Sequence, residues 1–429
     1  MKARYKIAFC FVAAFLFVIS AFPAAATSAP STASARGFAL YNVENNLFIM
    51  QKNVDEVIYP SSTVKIMTGL VAADFLSGRL NEEVTLTDKM LSGGGYLTVG
   101  KTLKIRDLFV AALSGRYNDA ATALAVISCG NTADFVAKMN EKAQSLGMEK
   151  TNYTNVTGLH DAKAATTVRD TVKLCVAASK VAFLLDCSSE FVFDVTYSDG
   201  SSTTGYNNNQ LVNKNSTYYC RSAKGLNSGY TDEGGYALAT YASSKGASYV
   251  LVYIGEGGDQ RFALAQDALQ YAYDNYGYKT LAEVGGKVGV AEVDLSGSKI
   301  EMPVLLASNL RIYENKDDAE GDYVYDLRFY EETLVAPVKK GDTVGVMTVW
   351  QGNRLLGACE VEAGADAETN GFVSVVLAMK NYFTGRAFIA ALVASVLIVV
   401  ISFISMFAAR HFKNKKRVYV KKRDGFKLK

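Results

Sequence analysis

Two uncharged apolar runs, one near each end of the 429-residue chain, determine which part of it can fold outside the cell. Residues 7–22 form the first run, with three basic residues before it and three alanines at positions 24–26 after it. Segments in that order are typical of a secretory signal peptide, so we expect residues 1–26 to be cleaved off after Ala26. A buried N-terminal helix is the alternative. Residues 27–36, rich in Ser, Thr, Ala and Pro, are expected to form a flexible leader.

The second run, residues 387–409, is long enough to span a bilayer as a single helix. A juxtamembrane segment, residues 367–386, precedes it, and a basic tail, residues 410–429, follows it. By the positive-inside rule the tail is cytoplasmic, and everything before Arg386 lies outside the cell membrane. The tail could instead bind nucleic acid, but contact with anionic lipid is the better interpretation beside a span. Because the +3 net charge comes from this tail, no nucleic-acid partner is expected.

Residues 37–277 have the periodicity of an α+β domain, with helices packed on a mostly antiparallel sheet. Residues 38–43 and 47–51 read as a β-hairpin. The other predicted strands are residues 84–86, 191–197, 236–243 and 248–255. The first predicted helix runs from Ser62 to near Gly78, and the second begins at Arg106. The other predicted helices are residues 119–128, 132–146, 168–178 and 260–276.

Residues 278–366 have short strands separated by turn residues, which predicts a small all-β sandwich domain. The predicted strands are residues 288–293, 300–306, 310–313, 324–329, 343–350 and 355–361. This part has no catalytic constellation. One acidic turn could hold Ca²⁺, although a solvated loop is the better interpretation: Asp317, Asp318, Glu320 and Asp322.

The cysteines do not predict a disulfide framework or a metal site. Cys10 leaves with the signal peptide, and an odd, scattered set remains in the exported part: Cys129, Cys175, Cys187, Cys220 and Cys359. Buried free thiols are expected, with one or two disulfides left open. No Cys-x-x-Cys or His-x-x-x-His spacing occurs, so neither a metal nor another cofactor is expected.

Residues 59–68, Tyr-Pro-Ser-Ser-Thr-Val-Lys-Ile-Met-Thr, read as a proline-led turn that enters a helix. Ser62 and Lys65 then lie one turn apart on one helix face. A serine hydroxyl is a poor nucleophile until a base takes its proton, and a lysine whose pKa is lowered by burial or by nearby charge can be that base. A capping serine and a solvated lysine are the alternative. An apolar stripe is expected to bury the helix: Val64, Met67, Val71 and Phe75.

Histidine usage favours the lysine base. The chain contains only His160 and His411, and His411 lies in the basic tail. A Ser-His-Asp site would therefore have to use His160, and no Gly-x-Ser-x-Gly motif accompanies it.

A serine–lysine site also needs polar partners from a second loop, a strand edge with hydrogen-bond donors, and backbone N–H groups for an oxyanion. Residues 114–119, Ser-Gly-Arg-Tyr-Asn-Asp, lie at a predicted helix–loop–helix corner. Residues 224–231, Lys-Gly-Leu-Asn-Ser-Gly-Tyr-Thr, lead into the predicted strand at Tyr236, and Gly229 would let a substrate backbone approach closely. A helix cap and a hairpin turn are the alternatives for these two segments.

The order of these motifs resembles the low-molecular-mass penicillin-binding proteins, and more specifically the serine-type D-alanyl-D-alanine carboxypeptidases. The matching motifs are residues 62–65, 118–121, 158–159 and 229–236, within a likeness that runs from about residue 37 to 255. Residues 336–342 are similar to the family's C-terminal domain. The resemblance implies a β-lactamase/transpeptidase-like domain at residues 37–277, a peptidoglycan stem peptide as substrate, and β-lactams as covalent inhibitors.

The resemblance also implies roles for individual residues. Ser62 would attack the carbonyl between two D-alanines, Lys65 would take its proton, and Asn118 would position the peptide. The backbone N–H groups of Ser62 and Tyr230 would hold the oxyanion. The substrate-binding residues would be Arg116, Asn227, Ser228, Gly229 and Tyr230.

The chain departs from the family at two of these positions. Arg116 stands where the family has a serine that relays protons to the leaving group. Asn227 stands where the family has a lysine, which binds the substrate carboxylate and lowers the pKa of the base. Arg116 is expected to restore the charge near Lys65, Ser228 keeps a hydroxyl, and the reach of Lys224 is left open. A slow carboxypeptidase, a homologue that binds wall peptides without turnover, and a β-lactamase are the functions left open.

Overall fold

The computed structural model describes residues 28–91, 95–244, 246–295, 298–318, 321–368, 375–376, 379, 382–383 and 385–424. The predicted signal peptide and much of the predicted juxtamembrane segment lie outside these residues. The chain divides into two compact units. Among the described residues, the first unit holds those up to Lys279 together with Tyr313–Gly321, and the second holds the rest.

The first unit is built on a five-stranded antiparallel sheet in the order β2-β1-β9-β8-β7. The predicted hairpin is confirmed, although its first strand begins at Ala35, inside the segment expected to be a flexible leader. The short strands β3 with β4 and β5 with β6 form separate pairs. The strands are β1 (Ala35–Asn42), β2 (Leu47–Lys52), β3 (Glu83–Thr85), β4 (Thr102–Lys104), β5 (Val192–Thr196), β6 (Ser202–Tyr206), β7 (Ala223–Thr231), β8 (Gly235–Ser244) and β9 (Ala247–Gly255).

Helices cover both faces of this sheet. They are α1 (Val64–Leu76), α2 (Ile105–Leu113), α3 (Asn118–Cys129), α4 (Thr132–Ser145), α5 (Val168–Ser179), α6 (Ala182–Ser189) and α7 (Gln260–Asn275). Val250 and Val252 belong to the core shared with α1–α6, whereas Leu251 and Tyr253 belong to the core shared with α7. Burial of both faces explains why β9 is a continuous apolar run instead of an alternating one.

Side-chain caps set the starts of two helices where the sequence predicts them. Thr167 Oγ1 accepts a hydrogen bond from the Asp170 backbone N–H at 3.0 Å, at the start of α5. Asn131 Oδ1 accepts one from the Asp134 N–H at 2.9 Å, at the start of α4. Each bond satisfies a donor that the first helical turn leaves unpaired. Helix α6 was not predicted.

Helix α1 is buried on nearly all sides. The prediction that Val64, Met67 and Val71 face the core is confirmed, but the inclusion of Phe75 was wrong, because its side chain is exposed. Leu76, fully buried, takes that place at the end of the helix. Because α2–α5 surround it, the helix holds its N-terminal turn in a fixed position within the first unit.

In the second unit, six strands form one sheet in the order β14-β16-β17-β12-β11-β15. Strands β10 and β13 pair with each other, and the division between the units falls within each of them. The strands are β10 (Tyr276–Ala282), β11 (Lys287–Asp294), β12 (Lys299–Leu306), β13 (Leu310–Asn315), β14 (Val324–Phe329), β15 (Leu334–Val335), β16 (Thr343–Gln351) and β17 (Arg354–Ala363). Helix α8 (Arg386–Asp424) contains Phe388–Arg410, a stretch long and apolar enough to cross a membrane.

The five cysteines retained after the predicted cleavage are free thiols, as expected. Cys175, Cys187 and Cys359 are buried, and burial raises the pKa of Cys175 and Cys187. In the acidic turn, Glu320 lies outside the described residues. Within the part of the chain that the structure describes, no group of three or more His, Cys, Asp or Glu side chains is placed to hold a metal ion.

Candidate active site

Ser62 lies in a 3₁₀ turn, Ser61–Thr63, that leads directly into α1. Its side chain is 6% exposed, and Oγ makes no hydrogen bond to the described residues. The preceding residue, Ser61, has a φ of +48°, a backbone conformation that non-glycine residues rarely adopt. The Ser61 carbonyl packs against Gly158, where an added Cβ would lie 2.1 Å from that oxygen. The loop at Gly158 therefore fixes the strained turn that presents Ser62.

Lys65 lies one turn after Ser62 and is buried, with a side chain only 4% exposed. Its Nζ donates a hydrogen bond to the Thr157 carbonyl. Asn155 fixes that carbonyl's loop by accepting from the backbone N–H groups of Thr157 at 3.1 Å and Gly158 at 2.7 Å. Burial, and then the nearby charge of Arg116, lower the pKa of Lys65 to about 7. Much of the amine is therefore neutral near neutral pH and able to accept a proton.

Arg116 lies in the loop between α2 and α3, with a φ of +59°. With the Asn208 amide oriented so that its oxygen faces the guanidinium, Arg116 donates to that oxygen from Nε at 3.2 Å and from Nη2 at 2.6 Å. Burial lowers the pKa of Arg116. Its Nη1 approaches β7, because a Cβ added at Gly229 would lie 3.2 Å from it.

The segment with Asn227, Ser228, Gly229 and Tyr230 lies within β7, the edge strand of the sheet. This confirms the expected strand edge beside Ser62, but the hairpin-turn alternative was wrong. Asn227 is 3% exposed, and neither side-chain atom of its amide has a hydrogen-bond partner within the described residues. Gly229 lies against Ser62, because an added Cβ would stand 2.5 Å from Ser62 Oγ. Tyr230 is exposed.

Arg261, on α7, is a site residue that the sequence analysis missed. It is buried, and its Nε and Nη2 each donate to Ser228 Oγ at 3.4 Å. Its guanidinium lies over the rings of Tyr236 at 4.8 Å and Phe262 at 4.0 Å, and burial lowers its pKa. The sequence signal was the glycine-rich turn, residues 255–258, that places the start of α7 beside β7.

The predicted residues converge on one open cleft of about 540 Å³. Ser62, Lys65, Arg116, Asn118 and Tyr230 all line it, and the exposed Tyr96 borders it. Asn227 and Ser228 lie beneath this surface, and Lys224 is exposed. The cleft thus combines a buried hydroxyl, a lysine amine with a lowered pKa, an arginine and an edge strand, a set of groups suited to acyl transfer.

His160 does not take part in a Ser-His-Asp arrangement. Its ring packs edge-on against Tyr59 at 4.6 Å, and Nδ1 lies 4.0 Å from a carboxylate oxygen of Glu233. His160 does not line the cleft that Ser62 and Lys65 share, so the lysine is the base that the geometry offers.

Comparison with known proteins agrees with this geometry. The sequence profile of a peptidase family, S11, described as D-alanyl-D-alanine carboxypeptidase, matches residues 24–257. D-alanyl-D-alanine carboxypeptidase DacF of Bacillus subtilis is 24% identical over 348 residues, covering 79% of this chain and 87% of DacF. A D-alanyl-D-alanine endopeptidase of Pseudomonas aeruginosa is 32% identical over 209 residues, covering 48% of this chain and 66% of the endopeptidase.

Solved structures share the fold. Penicillin-binding protein 5 of Haemophilus influenzae has a TM-score of 0.62 at 21% identity, covering 80% of this chain and 100% of that one. PBP3 of Streptococcus pneumoniae, a peptidoglycan synthesis regulatory factor, has a TM-score of 0.65 at 17% identity. The match covers 79% of this chain and 100% of PBP3. These likenesses confirm the predicted α+β fold. Since the family profile covers more than half of the chain, this protein belongs to the S11 family of D-alanyl-D-alanine carboxypeptidases.

Proposed function

We infer that this chain is a serine-type D-alanyl-D-alanine carboxypeptidase that removes the terminal D-alanine from peptidoglycan stem peptides. One observation carries this proposal: Lys65 is buried beside Ser62, with its pKa lowered to about 7, in the cleft that Asn118 and Tyr230 also line. A lysine exposed to water would keep its proton and could not activate the serine.

The reaction proceeds by acyl transfer. Ser62 Oγ attacks the carbonyl between the two D-alanines while Lys65 takes its proton. The C–N bond then breaks, and the proton passes from Lys65 to the departing amine of D-alanine. Lys65 then accepts a proton from the water that attacks the Ser62 ester and returns it to Ser62 Oγ as the acyl–oxygen bond breaks, and the shortened peptide leaves. A β-lactam carbonyl would acylate the same hydroxyl.

The remaining site residues bind or orient the peptide in this proposal. Backbone N–H groups of Ser62 and Tyr230 hold the oxyanion, Asn118 positions the peptide, and Gly229 leaves room for it at the strand edge. Arg116, which lines the cleft, provides donors for the terminal carboxylate. Asn227 and Ser228 are buried and do not line the cleft, so they shape β7 from below, and Arg261 holds the Ser228 hydroxyl.

The proposed location is the outer face of the cell membrane. An apolar stretch in α8, Phe388–Arg410, would form a single span, and the basic residues after it favour a cytoplasmic tail. Residues 37–277 would form the carboxypeptidase domain and residues 278–366 the β domain. The division of the chain contacts at Lys279 and Thr280 supports that boundary.

Release of D-alanine from a diacyl-D-Ala-D-Ala peptide tests the activity in the full-length chain. We expect turnover that is lost in Ser62→Ala and retained in Ser31→Ala, a control in the N-terminal segment before β1. If the parent chain bound the peptide without releasing D-alanine, the non-catalytic peptide-binding alternative would replace this proposal. Hydrolysis of a β-lactam faster than of the peptide would indicate a β-lactamase.

A further inference from the structure

Two neighbouring asparagines hold the loop between α2 and α3 at two points. Asn207 is buried, and its Nδ2 donates to Ser114 Oγ at 3.1 Å, where the loop begins. With its amide oxygen turned towards the guanidinium, Asn208 accepts from both Nε and Nη2 of Arg116, at 3.2 and 2.6 Å. Two N–H groups that converge on one oxygen restrict the direction in which the guanidinium points. Arg116 has a left-handed backbone conformation, and these contacts stabilise the loop and hold its side chain in one direction.

Arg116 is held with its guanidinium beside the Ser62 hydroxyl. A Cβ built on Gly229 would meet both Ser62 Oγ, at 2.5 Å, and Arg116 Nη1, at 3.2 Å. The hydroxyl and the guanidinium therefore lie beside each other on the same side of β7. The strand itself supplies no charge at this point, because Asn227 is uncharged and buried without a partner in the described residues.

We propose that Asn208 is a positioning residue that holds the Arg116 guanidinium beside Ser62 and Lys65, so that the loop between α2 and α3 supplies the positive charge of this cleft. The charge disfavours protonation of Lys65 and so keeps the base available. The inference rests on the proposed function only for the use of Lys65 as the base.

Other ionisable side chains around Lys65 are engaged elsewhere. Asp119, on α3, accepts from the backbone N–H groups of Leu97 at 2.7 Å and Ala120 at 2.8 Å. Asp170, on α5, accepts from the Lys150 N–H at 3.0 Å. The thiols of α5 and α6 have raised pKa values and are neutral, and the other ionisable groups on α2, α4 and α5 are at least partly exposed. Arg261 of α7 carries a like charge close enough to Arg116 for the two guanidinium groups to repel each other.

The pKa of Lys65 tests this directly. The full-length chain, labelled with ¹³C at the lysine ε-carbon, is titrated by NMR in detergent, and the Lys65 signal is assigned by its loss in Lys65→Met. The variants are Arg116→Gln, which removes the charge, and Asn208→Ala, which removes only its support. Asn213→Ala is the matched control, because its side chain makes a similar amide contact, with Gln210, away from the cleft.

We expect the pKa of Lys65 to rise by about 1 to 2 in Arg116→Gln, by less in Asn208→Ala, and not at all in the control. The rate of acylation by a fluorescent penicillin is measured as a function of pH in the same proteins. The acidic limb of this pH–rate profile should shift to higher pH by the same amount as the pKa of Lys65. With a pKa raised by about 1, the rate at neutral pH falls about five-fold, because fewer molecules carry the neutral amine. If Asn208 had only a structural role, Asn208→Ala would lower the acylation rate by the same factor at all pH values.

The two proposals fail in different ways. An unchanged Lys65 pKa in Arg116→Gln, or equal behaviour of Asn208→Ala and the control, would overturn this inference even if every protein is acylated. Absence of acylation in the parent chain would overturn the proposed function, while the NMR titration would still decide where the charge on Lys65 comes from.

Discussion

Lys65→Met is the substitution whose effect on stability follows most directly from the structure. Methionine has a similar shape but no charge, so it removes the cost of burying an amine and leaves the packing of α1 largely in place. The lysine titrates near pH 7 in the folded chain and at 10.5 in its ordinary state. Between those values the unfolded chain holds a proton that the folded chain has lost, so stability conferred by Lys65 rises with pH.

The magnitude follows from this difference in pKa. Each pH unit inside the window adds about 1.4 kcal/mol to the free energy of unfolding of the parent, relative to Lys65→Met. From about pH 7.5 to about pH 9.5 the parent should therefore gain about 2–3 kcal/mol on the variant. Below about pH 6 the difference in unfolding free energy should be constant, because Lys65 is then protonated in both states. Loss of the bond to the Thr157 carbonyl adds a cost of about 1–3 kcal/mol that does not depend on pH.

The assay must report on the first unit. Trp350 is the only tryptophan of the chain and lies in the second unit, so its fluorescence would follow the wrong transition. Denaturation of the full-length chain in detergent, followed by far-UV circular dichroism, reports on α1–α7 instead. If the difference in unfolding free energy between parent and variant stayed constant from about pH 7.5 to about pH 9.5, the pKa of Lys65 would not be lowered, and the reasoning would be refuted.

Three further substitutions test other contacts of the cleft. Gly229→Ala places a Cβ 2.5 Å from Ser62 Oγ, so it should cost about 1–3 kcal/mol in thermal melting and slow penicillin acylation by at least about ten-fold. Gly78→Ala, whose Cβ meets no atom within 4 Å, is the control, and equal effects of the two would contradict the close approach. His160→Gln should leave D-alanine release within about two-fold of the parent, and a loss of more than about 10²-fold would reinstate a histidine base. Arg261→Lys should raise KM for the peptide by about ten-fold with little change in kcat, because a lysine cannot reproduce the two-pronged contact with β7; an unchanged KM would remove Arg261 from the site.

Local chemistry was enough to predict the pair at the centre of the site. A proline-led turn into a helix fixes the spacing of Ser62 and Lys65, and three-residue spacing on a helix means neighbouring side chains. The caps at Asn131 and Thr167 and the run of β9 follow from equally local rules. The chain order of the motifs then made the resemblance to the family specific.

Contacts between segments far apart in the chain could not be predicted from the sequence in the same way. The stretch around Asn227 and Ser228 has the composition of a turn, yet it is an edge strand, because pairing with β8 and contact with the 3₁₀ turn override its local propensity. Phe75 fits the helical stripe, but its side chain is exposed and the next residue, Leu76, is buried in its place at the end of α1. Arg261 lies far along the chain from Ser228, so only the fold brings them together. The contact between Arg116 and Asn208 could not be predicted from the sequence for the same reason.

The most direct test of the account is the mass of the intact full-length chain, and of its peptides, after exposure to penicillin. We expect one adduct, carried by Ser62, absent from Ser62→Ala and formed about 10² to 10⁴ times more slowly in Lys65→Met. An unmodified parent chain, or an adduct that persists in Ser62→Ala, would contradict the claim that Lys65 makes this hydroxyl a nucleophile.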